Sequence, residues 1–287
     1  MNQVMAKVRS NQLLVKDCWR MELEAPQIAS RVRPGQFVMV RVAQTFDPLF
    51  RRPFSVFRRF DKGESCGIEL VYEVVGKGTR IMTTMAPGDQ LDVIGPLGHG
   101  FELFPDRRVH VFVSSGTGAA SLFMLAEKVS KIADEHDLFV LLDAKTRESL
   151  VLEEEFRSLK ATVLVSTHDG SCGYHGYVTE LLRNAIESGD ISTDCAIYAC
   201  GSELMLKALA SICQKYKIPA QVSMQRSMAC GIGACLSCVC RVDKQAVSRY
   251  RDLKSSHIQF SPEAKFGYAL VCKDGPVFRL DEVVLNE

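Results

Sequence analysis

The sequence lacks an excess of charge of either sign and any long hydrophobic run. It carries 35 Lys and Arg against 34 Asp and Glu, a formal net charge of +1, so neither nucleic acid nor an acidic membrane surface is indicated as a partner. No apolar stretch is long enough to span a bilayer. Residues 1–12 contain no hydrophobic segment of a signal peptide, and repeats and low-complexity segments are absent. We therefore expect a cytoplasmic protein that contacts neither nucleic acid nor membrane.

The composition is that of a soluble globular protein, with 47% hydrophobic and 24% charged residues. A length of 287 residues suggests two or three domains. The 11 cysteines are an odd and high number. Without an export signal, most of them are expected to be reduced thiols.

Three cysteines lie within nine residues, in Cys230-Gly-Ile-Gly-Ala-Cys235-Leu-Ser-Cys238, and Cys272 follows far downstream. This C-x₄-C-x₂-C…C spacing is typical of a plant-type [2Fe–2S] site, in which four thiolates hold two irons. A short loop supplies three ligands and the fourth comes from elsewhere. The glycines between the first two cysteines allow positive φ and a close backbone approach to inorganic sulfur.

Zinc binding, disulfide bonding and a purely structural role fit this cysteine pattern less well. Zinc usually takes paired Cys-x-x-Cys motifs, and the second pair is missing. Disulfides need an oxidising compartment, and buried structural cysteines are not expected to cluster among glycines. Cys240 is the nearest rival ligand, with a spacing that matches the pattern less well than that of Cys272.

The first hundred residues show short extended runs separated by turns. Residues 36–42, 67–75 and 90–94 are rich in Val, Ile, Phe and Tyr. Pro34-Gly35 and Pro87-Gly88-Asp89 have the order that a type II turn requires. Strands at this spacing predict a small antiparallel barrel.

Two segments of the predicted barrel suggest an anion site. Arg51-Arg52-Pro53-Phe54-Ser55-Val56 stands before a strand-like run, and Gly76-Lys77-Gly78-Thr79 leads into a short predicted helix over residues 80–85. Backbone N–H groups at a helix start, the Thr79 hydroxyl and the Arg52 guanidinium can all meet a phosphate. Taken alone, each segment is more often an ordinary loop or turn.

Arg52-Pro53-Phe54-Ser55 followed by Gly78-Thr79 resembles the flavin-binding pair of the ferredoxin–NADP reductase superfamily. The resemblance implies FAD as the cofactor. It places the Arg-Pro-x-Ser segment at the flavin and pyrophosphate, Gly78 and Thr79 at the phosphates, and three further residues along the cofactor, Val71, Tyr72 and Glu73.

In the middle of the chain, buried strand-like runs alternate with helical segments, beginning with residues 109–113. This alternation predicts a doubly wound parallel sheet that binds ligands at the carboxyl ends of its strands. Gly116 and Gly118 follow the first strand, and Cys200 and Gly201 follow a later one. These segments are either tight strand-to-helix turns or, as the superfamily resemblance implies, contacts for a nicotinamide nucleotide.

The superfamily's usual nucleotide loops contain more glycines and prolines than Ser114-Ser115-Gly116-Thr117-Gly118 and Cys200-Gly201-Ser202 do. Asp143 would suit a ribose hydroxyl, whereas Lys145 and Arg147 would meet a 2′-phosphate. The sequence leaves open the choice between NADH and NADPH, and it favours a solvated loop for these three residues.

The cluster motif with Val271-Cys272-Lys273-Asp274-Gly275-Pro276-Val277-Phe278 is similar to the electron transfer subunits of class 1B dihydroorotate dehydrogenases, over the whole chain. The resemblance implies three domains: a FAD-binding β-barrel (1–104), an NAD-binding-like α/β domain (105–222) and a [2Fe–2S] domain (223–287). Thirty-three residues separate Cys238 from Cys272, more than that family usually has. The excess, residues 241–268, is expected to be a surface hairpin or, alternatively, a longer docking surface.

The resemblance implies that NADH reduces FAD and that electrons pass through the [2Fe–2S] cluster to the FMN of a separate catalytic subunit, which oxidises dihydroorotate to orotate within a heterotetramer. The sequence shows no acid–base pair or nucleophile that would oxidise dihydroorotate on this chain. Two alternatives remain. One is a flavin and iron–sulfur subunit of another ferredoxin-, NADP- or sulfur-linked oxidoreductase, and the other is a flavin–cluster adaptor that no longer binds pyridine nucleotide.

Overall fold

The computed structural model describes residues 1–63, 65–132, 137–253, 256–260 and 263–285. Its secondary structure falls into a β-barrel, a larger mostly parallel sheet and a small C-terminal sheet. None of the helices within these ranges is long and apolar enough to cross a membrane.

The described residues at the start of the chain form a closed antiparallel barrel. Its order is β1-β2-β5-β4-β3-β6. The strands are β1 (Asn2–Val15), β2 (Cys18–Glu24), β3 (Phe37–Arg41), β4 (Arg52–Lys62), β5 (Ser65–Glu73) and β6 (Gln90–Leu97), with short helices α1 (Pro26–Ala29) and α2 (Lys77–Thr83) between them. Side chains alternate between the two faces of the wall, as Ala6 and Val8 show by being fully buried between exposed neighbours. Gly35 and Gly88 have φ of +83° and +103°, as the Pro-Gly turns require.

The middle of the chain forms an α/β unit. Its strands are β7 (Val109–Ser115), β8 (Leu138–Ala144), β9 (Thr162–Thr167), β10 (Tyr174–His175), β11 (Cys195–Cys200) and β12 (Ala220–Ser223), and its helices are α3 (Ala119–Val129), α4 (Glu153–Arg157), α5 (Val178–Glu187) and α6 (Glu203–Tyr216). These strands run parallel in the order β10-β9-β8-β7-β11-β12. The order reverses between β7 and β11, which is the switch point where such sheets bind ligands.

The parallel sheet is covered on both faces, which explains its continuous hydrophobic strands. Successive residues of β7 belong to different cores. Phe112 packs in the core that contains α3 and α4, and Val111 packs in the core that contains α5 and α6. On the α3 side the sheet meets the barrel, where the ring centroids of Phe57 and Phe123 are 4.5 Å apart.

The last part of the chain adds strands β13 (Val239–Asp243), β14 (Gln259–Phe260), β15 (Phe266–Leu270) and β16 (Val277–Arg279) and helix α7 (Lys244–Tyr250). Strands β13, β15 and β14 form a small antiparallel sheet. Strand β16 pairs antiparallel with β12 and becomes the seventh strand of the large sheet. The division at residues 104 and 222 stays a prediction.

The predicted fold class is confirmed: an antiparallel barrel precedes a doubly wound sheet and a small cysteine-bearing region. Two local expectations are corrected. Arg52, Pro53, Phe54 and Ser55 are the first residues of β4, not a turn before it, and α2 begins at Lys77 rather than at residue 80. The first correction follows from pairing with a distant strand, as of Pro53 with Met39, which local sequence does not reveal.

The two ends of residues 241–268 pair as an antiparallel hairpin, as expected, but the described part of this hairpin does not lie only on the surface. Residues 254, 255, 261 and 262 lie outside the described residues. Elsewhere in the insertion, Val242 and Val247 are fully buried, and the Val284 amide donates to the Arg241 carbonyl. The insertion is therefore packed into the molecule.

Candidate functional site

A pocket of about 760 Å³ opens between the barrel and the carboxyl edge of the large sheet. It brings together eight of the nine residues predicted for FAD with two of the four predicted for a nicotinamide nucleotide. Those lining residues are Arg52, Pro53, Phe54, Ser55, Val71, Tyr72, Glu73, Thr79, Gly118 and Cys200. One concave site therefore spans both predicted cofactor regions.

The remaining three predicted residues, Gly78, Gly116 and Gly201, do not line the pocket themselves. At Gly78 an added Cβ would lie 3.0 Å from Arg52 Nε, so this glycine leaves room for the arginine side chain. An added Cβ at Gly201 would lie 2.5 Å from Met205 Sδ. Gly116 has a φ of +56°, a conformation that favours glycine.

The Thr79 side chain closes the glycine-rich turn. Its hydroxyl oxygen accepts hydrogen bonds from the Val75 amide (3.0 Å) and the Gly76 amide (3.2 Å). These bonds hold the turn beside Arg52, whose guanidinium also donates to the Phe50 carbonyl. The hydroxyl was expected to donate to a phosphate, but it donates its own proton to the Gly76 carbonyl at 3.2 Å.

The barrel wall of the pocket contains an aromatic pair. Phe54 and Tyr72 pack edge to face with centroids 5.9 Å apart, and the Tyr72 hydroxyl donates to Asn11 Oδ1 at 3.0 Å. Burial raises the pKa of Tyr72 to about 12. This aromatic pair therefore stays uncharged and is suited to contact with a planar ring.

On the sheet side, Gly118 packs directly against the end of β11. An added Cβ there would lie 2.6 Å from the Cys200 carbonyl oxygen and 3.2 Å from its Sγ. Burial raises the pKa of the Cys200 thiol, so this side chain is a neutral part of the pocket. The close approach explains why glycine occupies position 118.

Asp143 is buried at the end of β8, and the expectation that it belongs to a solvated loop is wrong. Its carboxylate contacts the Ser115 hydroxyl at 2.8 Å, the Ser166 hydroxyl at 2.9 Å and His168 Nε2 at 3.0 Å. The Ser115 side chain, which replaces a glycine of the usual superfamily loop, is thereby held along the sheet edge toward β8. Arg147 is exposed, as expected, and pairs with Glu153 at 2.9 Å.

Sequence reasoning missed a pocket-lining segment, residues 223–228, which follows β12. Gln225 Nε2 lies 3.7 Å from Cys200 Sγ, and Arg226 pairs with Glu203 at 2.9 Å. The order of the predicted strands already indicated that this segment would lie at the ligand-binding edge. A chain that leaves a parallel strand beside the switch point must pass the ligand-binding edge of the sheet. The segment leads directly to Cys230, so one stretch of chain connects the pocket with the cysteine loop.

The cysteine loop is an irregular bend that depends on positive φ at Gly231 (+72°), Gly233 (+87°) and Leu236 (+59°). An added Cβ at Gly231 would lie 2.3 Å from Met39 Cγ, and one at Gly233 would lie 2.8 Å from Lys273 Cγ. The two glycines therefore let the loop pack closely against the barrel and against the neighbour of Cys272.

The four predicted ligands meet as two interacting pairs. The Cys230 side chain is hydrogen-bonded to Cys235, and Cys238 is hydrogen-bonded to Cys272, whose amide also lies 3.4 Å from Cys238 Sγ. Two tetrahedral irons that share two sulfides each need two thiolates, so this donor set fits a [2Fe–2S] cluster. Within the described ranges, no group of three or more His, Cys, Asp or Glu has the arrangement of a single-ion site.

Local hydrogen bonds favour the thiolate form that binds metal. Those with Ser237 lower the pKa of Cys235 to about 6, and the one with Cys272 lowers the pKa of Cys238 to about 6. The same hydrogen bond raises the pKa of Cys272, because the pair shares one proton.

Cys240 differs from the four predicted ligands. It is buried on β13 and points to the same side as Val242, into the core. Burial raises the pKa of its thiol to about 12. These properties are typical of a structural cysteine.

Comparison with known proteins finds three family domains along the chain. Residues 5–101 match the oxidoreductase FAD-binding domain and residues 112–211 the oxidoreductase NAD-binding domain. Residues 225–252 match the iron–sulfur cluster binding domain of dihydroorotate dehydrogenase B.

Several curated relatives match nearly the whole chain. The chain is 35% identical to the electron transfer subunit of dihydroorotate dehydrogenase B (NAD(+)) from Desulforamulus reducens and 36% identical to that from Geobacillus thermodenitrificans, in each case covering 97% of both proteins.

Among solved structures, an NADH-dependent reduced ferredoxin–NADP oxidoreductase aligns with a TM-score of 0.78 and 25% identity, over 98% of this chain and 90% of that one. The Amycolatopsis cytochrome P450 reductase GcoB aligns over 76% of this chain and 67% of its own, with a TM-score of 0.64 and 20% identity. This second similarity concerns the fold alone.

Proposed function

The chain belongs to the family of electron transfer subunits of dihydroorotate dehydrogenase B, and from this we propose that it carries electrons from NADH to a separate catalytic subunit that oxidises dihydroorotate to orotate in pyrimidine biosynthesis. The observation that carries the proposal is the stretch 223–230, which lines the pocket and then supplies Cys230. When bound, FAD takes two electrons from NADH, and the [2Fe–2S] cluster carries them onward one at a time. We place this reaction in the cytoplasm.

For FAD, we propose that Arg52 holds the pyrophosphate through its planar fork of N–H donors. The turn at Gly78 packs closely beside Arg52, which also donates to the Phe50 carbonyl. Phe54 and Tyr72 supply the uncharged wall along the flavin ring, and Ser55, Val71 and Glu73 complete that side of the pocket.

For the nicotinamide nucleotide, we propose the switch-point side of the pocket, at Gly116, Gly118, Cys200 and Gly201. Gly118 and Cys200 line the same pocket as the proposed flavin residues. A nucleotide bound there would lie against the flavin wall, as hydride transfer requires.

We expect NADH to bleach the flavin of the cofactor-loaded chain under anaerobic conditions, because both proposed nucleotide sites share one pocket. Flavin absorbance is followed after mixing with NADH or NADPH in a stopped-flow instrument. As a matched variant, Gly118→Val should slow bleaching at least about tenfold while FAD stays bound, since its side chain would meet Cys200. An absence of bleaching with either nucleotide would refute electron delivery from a pyridine nucleotide.

One observation favours a second candidate function. The reduced ferredoxin–NADP oxidoreductase aligns over 98% of this chain, so a flavin and iron–sulfur subunit of another ferredoxin- or NADP-linked oxidoreductase has the same architecture. Affinity purification of the native chain distinguishes the two. Recovery of a catalytic dihydroorotate dehydrogenase subunit supports the first function, and recovery of a different oxidoreductase supports the second.

We propose that the catalytic subunit carries FMN, forms a heterotetramer with this chain and docks around Cys235. Cys235 is exposed, as are three nearby apolar side chains, Ile232 (45%), Leu236 (59%) and Val239 (40%). A partner that receives electrons from a cluster at this loop must approach this surface closely, and apolar side chains favour such an interface.

Leu236→Glu is therefore expected to weaken binding of the catalytic subunit at least about tenfold, because it places a charge in the apolar interface. Binding is measured by titration of one purified subunit with the other. Cluster absorbance and flavin bleaching should stay at wild-type levels. Ile132→Glu, at another exposed apolar residue after α3, is the control and should bind normally. Unchanged binding by Leu236→Glu would place the interface elsewhere.

A further inference from the structure

Arg251 directly follows helix α7 in the insertion, and its guanidinium is almost completely engaged in hydrogen bonds. It forms a two-pronged ion pair with Glu282, at 2.6 Å (Nε to Oε1) and 2.9 Å (Nη2 to Oε2). The Glu282 side chain is 1% exposed. A carboxylate buried to this degree needs such a partner, because an unpaired charge in the interior is strongly destabilising.

The same guanidinium also holds the chain that follows Cys272. It donates to the Asp274 carbonyl and, at 3.2 Å, to the Val277 carbonyl. Its carbon also lies 4.7 Å from the centroid of the Phe278 ring. Arg251 thus connects the insertion to two points after Cys272, the Asp274 carbonyl and the Val277 carbonyl at the start of β16.

Asp274 provides a second connection to the insertion. Its side chain is 2% exposed and accepts from the Leu270 amide and the His257 amide, both at 2.8 Å. The bond from Leu270 closes the turn that presents Cys272, and the bond from His257 attaches the insertion to that turn. Both bonds join backbone amides to a buried carboxylate and are therefore of the stronger kind.

The other end of the Cys272 segment is attached to the barrel and the pocket. The Gly275 carbonyl accepts from the His99 amide, and the Pro276 carbonyl accepts from the Met224 amide at 2.9 Å. Pro276 and Met224 both line the pocket. The segment is therefore held between the insertion on one side and the flavin pocket on the other.

We propose that the described part of the insertion is a brace for the fourth cluster cysteine and that Arg251 is its positioning residue. The inference rests on the proposed function only in that Cys272 is a cluster ligand. Cys230, Cys235 and Cys238 share one loop, whereas Cys272 needs separate support to meet them. Its amide faces Cys238 Sγ at 3.4 Å, and hydrogen bonds to cluster sulfurs tune the redox properties of such sites. Arg251 controls the position of that amide through the turn.

The experiment must distinguish two roles of Arg251: positioning of the Cys272 side chain and neutralisation of the buried Glu282 carboxylate. Arg251→Lys keeps a positive charge beside Glu282 but cannot reach the same four acceptors. Arg251→Met combined with Glu282→Gln removes the buried charge together with its partner, so no unpaired carboxylate remains. Arg249→Met, which replaces an exposed arginine in the last turn of the same helix, is the matched control.

The cluster is reconstituted anaerobically in each full-length variant. Iron release to a chelator, the electron paramagnetic resonance spectrum of the reduced cluster and thermal unfolding are then measured. We expect both Arg251 variants to release iron about 10–100-fold faster and to show a shifted resonance spectrum, while flavin absorbance is retained. Arg249→Met should match the wild type in every measurement.

Two outcomes would count against the brace. Folded Arg251→Lys and double variants with wild-type iron release and wild-type spectra would overturn it while leaving the proposed function intact. A wild-type chain that forms no cluster under the same conditions would overturn the proposed function and the brace together.

Discussion

Replacing Cys272 with Ser should remove or severely weaken the visible absorbance of the iron–sulfur cluster. Cys272 is the partner of Cys238 in one of the two thiol pairs, and its loss leaves one iron with a single cysteine ligand. A hydroxyl is a much weaker ligand than a thiolate for this metal. The measurements are the visible absorbance and the iron content of the anaerobically purified protein.

Cys240→Ala is the matched control for the loss of Cys272. Its thiol lies on the core side of β13 and its pKa is about 12 because of burial. The variant should therefore keep the cluster and lose only some stability from a small cavity. A cluster that survives Cys272→Ser but disappears in Cys240→Ala would show that Cys240 is the fourth ligand.

Arg52→Ala should weaken FAD binding roughly tenfold to a hundredfold. Hydrogen bonds to charged groups contribute about 1.5–3 kcal/mol each, and about 1.4 kcal/mol corresponds to a tenfold change in affinity. Arg52 lines the pocket at the start of β4, beside the turn closed by Thr79. FAD affinity is measured by titrating the flavin-free protein and following flavin fluorescence.

Two further variants make the FAD experiment specific. Arg59→Ala removes an exposed arginine of the same strand that is not a predicted cofactor residue, and it should bind FAD normally. Arg52→Lys keeps the charge without the planar fork and should give an intermediate affinity. Wild-type affinity in Arg52→Ala would mean that the pyrophosphate is bound elsewhere.

Sequence reasoning located ten of the residues that line the pocket, those on the barrel side through the superfamily resemblance of short motifs. Arg52 to Ser55 and Val71 to Glu73 are consecutive in sequence, and all of them line one site. Gly118 follows a strand whose hydrophobic run is visible without a structure. Such features depend on residues within a few positions of each other, so the sequence alone reveals them.

Features that depend on distant contacts were missed or misjudged. Asp143 is in a surface-like segment by composition, yet three donors from β7 and the end of β9 surround its carboxylate. Arg251 is in an insertion without any motif, yet it reaches Glu282 thirty-one residues later. Burial of a charged group is favourable only when its partner is brought to it, and that depends on the whole fold.

The sequence by itself determined the thiol spacing of the cysteine loop and the type of each region, because spacing and periodicity are properties of the local chain, and the resemblance of its short motifs implied the candidate flavin residues. Only the tertiary structure decided that residues 223–228 connect the pocket with Cys230, that β16 completes the large sheet and that the insertion packs against the Cys272 turn. The physical reason is that these contacts join segments far apart in sequence. Their stability comes from burial and paired charges that exist only after the chain has folded.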